Sequence, residues 1–313
     1  MPSVRDSLHR SPVARATATL DLGRGRGVTI WENHDDRVTY DAARGHAFSL
    51  YLAGGTGTRR VDGAGVSGWP GAVCIFPDGQ TSEWEITTPF RFVHLYLPDD
   101  QLRADFARTH ECDARRLDLP EVTFAEMPTL GAPLGTLADA ASSGDIVLAD
   151  AAIAELIGRL ASRPVPLKGG LAPHVLRRLD EWIDAHLDET IRLSDLAALA
   201  DLSPYHLHRM FRASRGMAPH AWITDRRIAR AKALLRGPDA LIEVALACGF
   251  ASQSHFTRAF KAATDTTPTT WRSARQEGWY DIADLTQLSA ARCRNDGISV
   301  EADGVDGSRS PAS

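Results

Sequence analysis

The sequence predicts a multidomain α and β chain: a β-barrel or sandwich with flanking helices, then an all-α domain of two helix-turn-helix units joined by a linker helix. Three observations predict this. Over the first 165 residues, short apolar runs are separated by Gly, Pro and Asp, as in all-β domains. From Leu193 to Arg272 apolar residues recur at helical spacing, in two stretches about fifty residues apart that repeat one pattern. Charge is also divided unevenly. The 313-residue chain carries a net −5, but residues 171–275 hold 15 basic and 11 acidic groups, a net +4. Residues 1–170 come to −5 and those from Gln276 onward to −4. The positive charge therefore sits where the repeated helices sit, and its modest size predicts specific contacts over bulk attraction.

The β region is carried by Ala47–Gly54, Ala72–Pro77 and Phe90–Pro98. In the last of these, Phe90, Phe92, His94 and Tyr96 share one face, and Arg91, Val93, Leu95 and Leu97 the other. Neither face is polar throughout, which predicts one side lining a cavity and the other packed on helices. Helices are expected over Asp99–His110 and Asp145–Ala161. The second carries an apolar stripe wider than one packing face requires. A linker follows at 166–172, within a Pro- then Gly-rich stretch that is stiff first and flexible at its end. The domains are thus expected at 1–165 and 173–276. An extension over 277–313 is expected to be disordered from about Asn295.

In the first helix-turn-helix unit, Leu193–Ile223, Ser194 is expected to cap a helix through Leu196, Ala197 and Leu199. Asp201 stands at the tight turn. Ser203-Pro204 then opens a second helix, a capping residue followed by proline at the first helical position. Leu207 and Phe211 face inward, leaving Tyr205, His208, Arg209 and Arg212 outside. His220–Leu235 reads as the connecting helix, stopped by Gly237-Pro238 and spanning roughly 24 Å. In the second unit, Val244–Arg272, Ala245 is small where helices cross, and Gly249 can adopt the left-handed turn. Phe250, Phe256 and Phe260 supply the apolar pegs, while Gln253, Ser254, Thr257, Arg258 and Lys261 remain outside. Pro268, Trp271 and Arg272 close the unit. Exposed Arg and His on a helix are ordinarily plain solvated surface. Here two units place donor-rich side chains on equivalent outer faces, the chemistry that reads base edges and phosphates in a major groove.

The run of small residue, Gly-Phe, two further Phe, basic residue, Thr-Pro and aromatic-Arg in Val244–Arg272 resembles the AraC/XylS family of transcriptional regulators. One position departs from the family pattern: Asp265 stands where glycine is usual, a residue that tolerates the left-handed region at modest cost. The resemblance implies double-stranded promoter DNA as partner, read by Tyr205, His208, Arg209, Arg212, Gln253, Ser254, Thr257, Arg258 and Lys261. Arg209, Arg258 and Gln253 lead for base contact; Arg212, Lys261 and Arg230 are assigned to phosphates. It also implies an N-terminal cupin-like β-barrel, a match looser than the DNA-binding one and carried by Pro70–Trp84. Tyr51, Trp69, Trp84, Phe92, His94 and Tyr96 become candidates for a small-molecule effector site, against an ordinary aromatic core. Leu148, Ala152, Leu156 and Leu160 become candidates for a homodimer contact, against a helix packed on its own barrel. RNA polymerase is the further partner through which an activator acts, and the expected location is cytoplasmic, on DNA.

Other classes fit less well. Cys74, Cys112, Cys248 and Cys293 show no CxxC or repeated spacing, which predicts reduced thiols and no zinc site. There is no apolar run near eighteen residues, so no membrane span is expected. His34, His46 and His94 lack the close His-x-His of metal-binding cupins, and no GxSxG or P-loop occurs; no metal, cofactor or enzyme activity is expected. Three readings remain. The first is a DNA-binding regulator with an effector in the barrel. The second is a regulator whose N-terminal domain only dimerises or docks a protein, and the third is a metal enzyme. An open, partly polar barrel interior favours the first and a packed one the second.

Overall fold

The computed structural model describes residues 2–63, 65–163 and 169–274. A short helix α1 (Val4–Arg10) begins the chain, with Ser3 and Asp6 exchanging side-chain and backbone bonds across its first turn. Nine strands follow: β1 (Arg15–Asp21), β2 (Gly27–Asn33), β3 (Asp36–Tyr40), β4 (His46–Gly54), β5 (Thr58–Arg60), β6 (Val73–Phe76), β7 (Ser82–Ile86), β8 (Phe90–Leu97) and β9 (Val122–Ala125). They form a six-stranded antiparallel sheet in the order β1-β2-β8-β4-β6-β9 and a three-stranded one, β3-β7-β5. The N-terminal region is thus mostly sheet, but the two sheets share no ladder among the described residues and no barrel closes. The physical reason is visible at one corner. The chain crosses from β4 to β5 at Gly54-Gly55, both at positive φ (70° and 97°), so a turn and not a continuous bent strand makes the passage.

The alternation in β8 sorts two cores. Phe90, Phe92 and Tyr96 point between the sheets to meet Trp31, Tyr51, Phe76 and Trp84; Val93, Leu95 and Leu97 point the other way. That second face is covered by α2 (Asp99–Thr109), α3 (Pro128–Ser143) and α4 (Ile146–Gly158). Helices α2 and α4 fall where the sequence places them, α4 opening on Asp145, whose carboxylate accepts from Val147 N and Leu148 N at 2.9 Å. Helix α3 was not anticipated, because Gly131, Pro133 and Gly135 interrupt its pattern. Pro133 has no N–H to give the Thr129 carbonyl one turn earlier, and the Arg159 guanidinium at the end of α4 donates there instead.

The C-terminal region is helical: α5 (Pro173–Ala185), α6 (Leu193–Leu199), α7 (Pro204–Arg215), α8 (Pro219–Leu234), α9 (Leu241–Ala247), α10 (Gln253–Thr264) and a last helical stretch at 268–274. Two apolar clusters hold it. Leu196, Leu207 and Phe211 pack with Trp222 of α8 in the first; Val244, Phe256, Phe260 and Trp271 pack with Ile228 and Ala231 of α8 in the second. The cap of α6 differs from expectation. Ser194 lies inside the helix, and Asp195 reaches back to accept the Arg192 N–H at 3.2 Å. Residues 166–168 of the expected linker, and the whole extension at 277–313, lie outside the described residues. No helix among the described residues is long and apolar enough to cross a membrane.

Candidate nucleic-acid interface

Helices α7 and α10 are built alike, residue for residue. Each has 12 residues and opens on serine: Ser203 Oγ accepts from His206 N at 3.3 Å, and Ser252 Oγ from His255 N at 3.1 Å. Leu207 and Phe211 in α7 correspond to Phe256 and Phe260 in α10, all four fully buried. Each helix ends on a left-handed residue, Gly216 (φ 79°) and Asp265 (φ 59°). The turns ahead of them also match, with Asp201 at φ 55° and Gly249 at φ 71°. Gly249 has a second constraint. A Cβ there would overlap the Leu187 carbonyl oxygen and crowd the Arg227 guanidinium, so the second unit can sit this close to the first only without a side chain.

This repeat fixes what is left outside. Tyr205 is 79 % exposed, and His208, Arg209 and Arg212 beside it are exposed. At matching positions of α10 lie Ser254, Arg258 and Lys261, all exposed, with Gln253 exposed ahead of them and Thr257 half-buried. Arg209, Arg212, Arg258 and Lys261 form no ion pair with any described carboxylate. Four unneutralised cations thus stand on two equivalent faces, beside amide, hydroxyl and imidazole donors. Arg230, on α8, is half-buried. The sequence reading passed over His206 and His255, exposed at equivalent first-turn positions; aligning the helices on Ser203 and Ser252 finds them.

A family model described as a helix-turn-helix domain matches residues 196–274. The transcriptional regulator Rob of Salmonella typhimurium is 37% identical over 109 residues, 34% of this chain and 38% of the relative. The chain thus spans about two-fifths of that relative's length. Among solved structures, an AraC-type regulator from Chromobacterium violaceum is 27% identical over 33% of this chain and 92% of its own, with a TM-score of 0.31. The DNA-binding domain of AdpA, solved in complex with a target DNA, is 31% identical over 32% of this chain and 92% of its own, with the same TM-score of 0.31. Residues 196–274 thus form a helix-turn-helix domain of the AraC type.

Ahead of this AraC-type domain the six candidate effector residues do gather. Tyr51, Trp84, Phe92, His94 and Tyr96 are buried between the sheets, and Trp69 lies half-buried at the edge against Phe124. They fill the space they define. Tyr51 and Phe92 lie with ring centroids 6.2 Å apart, Val4 and Leu8 of α1 plug one side, and a void of about 20 Å³ remains, room for one water. The polar tips satisfy one another. Trp31 Nε1 donates to the Tyr96 hydroxyl at 2.9 Å, and that hydroxyl shares a further hydrogen bond with His94 Nδ1 at 3.1 Å. Burial drives the His94 pKa down to about 3, so the ring is neutral.

The four candidate dimer residues divide. Ala152, Leu156 and Leu160 lie in the domain's own core beneath α3, and Leu148 alone is open, at 37 %. The histidines weighed as metal ligands do not meet. His34 is exposed beside Asp35, while His46 is buried, accepting from Asp78 N at Nδ1 (3.0 Å) and donating from Nε2 to Asp99 (2.9 Å). No group of three His, Cys, Asp or Glu fit to hold a metal ion occurs among the described residues. Burial raises the thiol pKa of Cys74 to about 12 and of Cys248 to about 11, far from the activated range of a nucleophile. Cys293 lies outside the described residues.

Proposed function

We propose that this chain is a sequence-specific DNA-binding transcriptional regulator that seats α7 and α10 in successive major grooves of promoter DNA. The observation that carries the reading is the pair of equivalent helices whose exposed cations have no ion-pair partner among the described residues. Arg209 and Arg258, at the same position of each helix, are assigned to base edges with Gln253, Tyr205, His208, Ser254 and Thr257. Arg212 and Lys261, one turn further along, are assigned to phosphates. Helix α8 spaces the two units, and its sixteen residues, roughly 24 Å, suit grooves one DNA turn, roughly 34 Å, apart once the flanking helices add their width. The residue ranges 1–165 and 173–276 serve as regulatory and DNA-binding domains.

The test is selection of genomic fragments by purified protein, with an Arg209→Ala/Arg258→Ala double variant beside it. Enrichment at a few promoters, lost in the double variant, is expected; equal enrichment by both proteins would refute the assignment of the outer faces.

For the N-terminal domain, control by a small-molecule effector is one reading, with the space between the two sheets as its container. The packing observed there favours the second: a domain that only dimerises or docks a protein partner such as RNA polymerase, with no ligand between the sheets. Calorimetric screening that finds a ligand whose binding is lost in His94→Ala would restore the first.

A further inference from the structure

We propose that Arg24 and Arg26, at the turn between β1 and β2, are positioning residues for DNA recognition: they fix α10 and α8 relative to the first unit. The proposal rests on the DNA-binding reading above. The turn is pressed against the far end of α10. Gly23 sits at φ 76°, and a Cβ there would lie 2.8 Å from Asp265 N and 3.0 Å from Thr264 N. Arg26 is buried and donates from one guanidinium nitrogen to Leu22 O at 2.8 Å and to Ala263 O at 3.1 Å. Ala263 lies in the last turn of α10, where carbonyls lack intrahelical donors, so the N-terminal domain completes the cap of that helix. Arg24 pairs with Asp225, a buried carboxylate on α8. Beside them Lys232 of α8 bonds Asp150 of α4 at 2.7 Å, and Ile146 and Val147 of α4 pack on the second unit's core.

The first unit is held in the same manner. Gly216, at the end of α7, lies where a Cβ would stand 3.3 Å from Ala104 N of α2, and Arg215 donates to Cys112 O at 2.8 Å. Ala104, Ala107 and Ala114 belong to that unit's apolar cluster. Both helices are thus gripped at their C-terminal ends, and the residues assigned to DNA stay exposed, Thr257 half-buried among them. Between the units themselves the connections are α8 and the close approach of Gly249 to Leu187. The N-terminal domain therefore braces the one helix on which the spacing depends. The brace is not saturated: Arg26 Nε and Asp225 Oδ2 are buried with no partner among the described residues. Replacing one partner leaves the other's charge buried and lowers stability, so positioning is read from the half-site spacing preference, which a merely destabilised chain would not change.

The experiment uses the full chain and a selected site, rebuilt with its two half-sites moved apart by one, two and five base pairs. Wild type is expected to bind its own spacing about tenfold better than the five-base-pair insertion. Arg24→Asp is expected to flatten that preference to about twofold in a chain that remains folded at a lowered melting temperature. Arg24→Asp combined with Asp225→Arg, which restores the pair with reversed charge, is expected to restore the preference. A spacing profile in Arg24→Asp equal to wild type would overturn the proposal. So would a uniform loss at every spacing with a lowered melting temperature, the mark of a merely structural role. A wild-type chain that bound no DNA would sink the DNA-binding reading instead.

Discussion

Asp201 and Gly249 occupy the same point of two turns and adopt the same left-handed backbone, yet they are not interchangeable. Asp201 is exposed, and its cost is the local conformational one; Gly249 faces the Leu187 carbonyl, and its cost is a steric overlap. Gly249→Ala is therefore expected to destabilise the chain by more than about 2 kcal/mol in chemical denaturation, combining backbone strain with lost packing between the units. A loss under about 0.5 kcal/mol would mean that the close approach is not needed. His94 makes a second prediction. Its folded pKa lies near 3, while an unfolded histidine titrates near 6.5. Below pH 6.5 the unfolded chain takes up a proton that the folded chain refuses, so stability is complete above that pH and is lost as pH falls toward 3. The loss is about 1.4 kcal/mol per pH unit at most. Denaturation at pH 7 and pH 5 should show it, and His94→Gln should flatten the slope.

Helix α4 shows how burial redirects a plausible sequence reading. Its apolar stripe is wide because it serves two contacts within one chain: Leu156 and Ile157 pack under α3, and Ile146 and Val147 pack on the second unit's core. Leu156→Asp is thus expected to cost more than about 3 kcal/mol and to yield unfolded protein, not a stable monomer. A folded, monomeric variant in sedimentation would return the helix to a dimer interface. The two helix-turn-helix units were legible because each element carries its own signal, serine-proline at the start of α7, phenylalanines four apart in α10, an aspartate or glycine at the turn. The strand faces of β8 were legible by simple alternation. Helix α3 was not, because its proline is compensated by Arg159, a residue remote in sequence that no local pattern connects to it. The separation of the two sheets was equally hidden, since it depends on strand pairing at a distance.

The acidic chain carries its positive charge in the helical region, where the four cations on α7 and α10 have no described acidic partner. The logarithm of DNA affinity should therefore fall linearly with the logarithm of salt concentration, and Lys261→Ala should reduce the slope by about 0.9 without altering base preference. An unchanged slope would remove Lys261 from the phosphate contacts. The positions proposed to face DNA were readable from the repeat; the proposed brace was not, because Arg24 and Arg26 lie some two hundred residues from the helices they hold. The most direct measurement is methylation interference on a selected site, comparing wild type with Arg209→Ala and Arg258→Ala. The account predicts two major-groove footprints one DNA turn apart, with Arg209→Ala erasing contacts in one and Arg258→Ala in the other. A single footprint, or two that both variants leave intact, would contradict it.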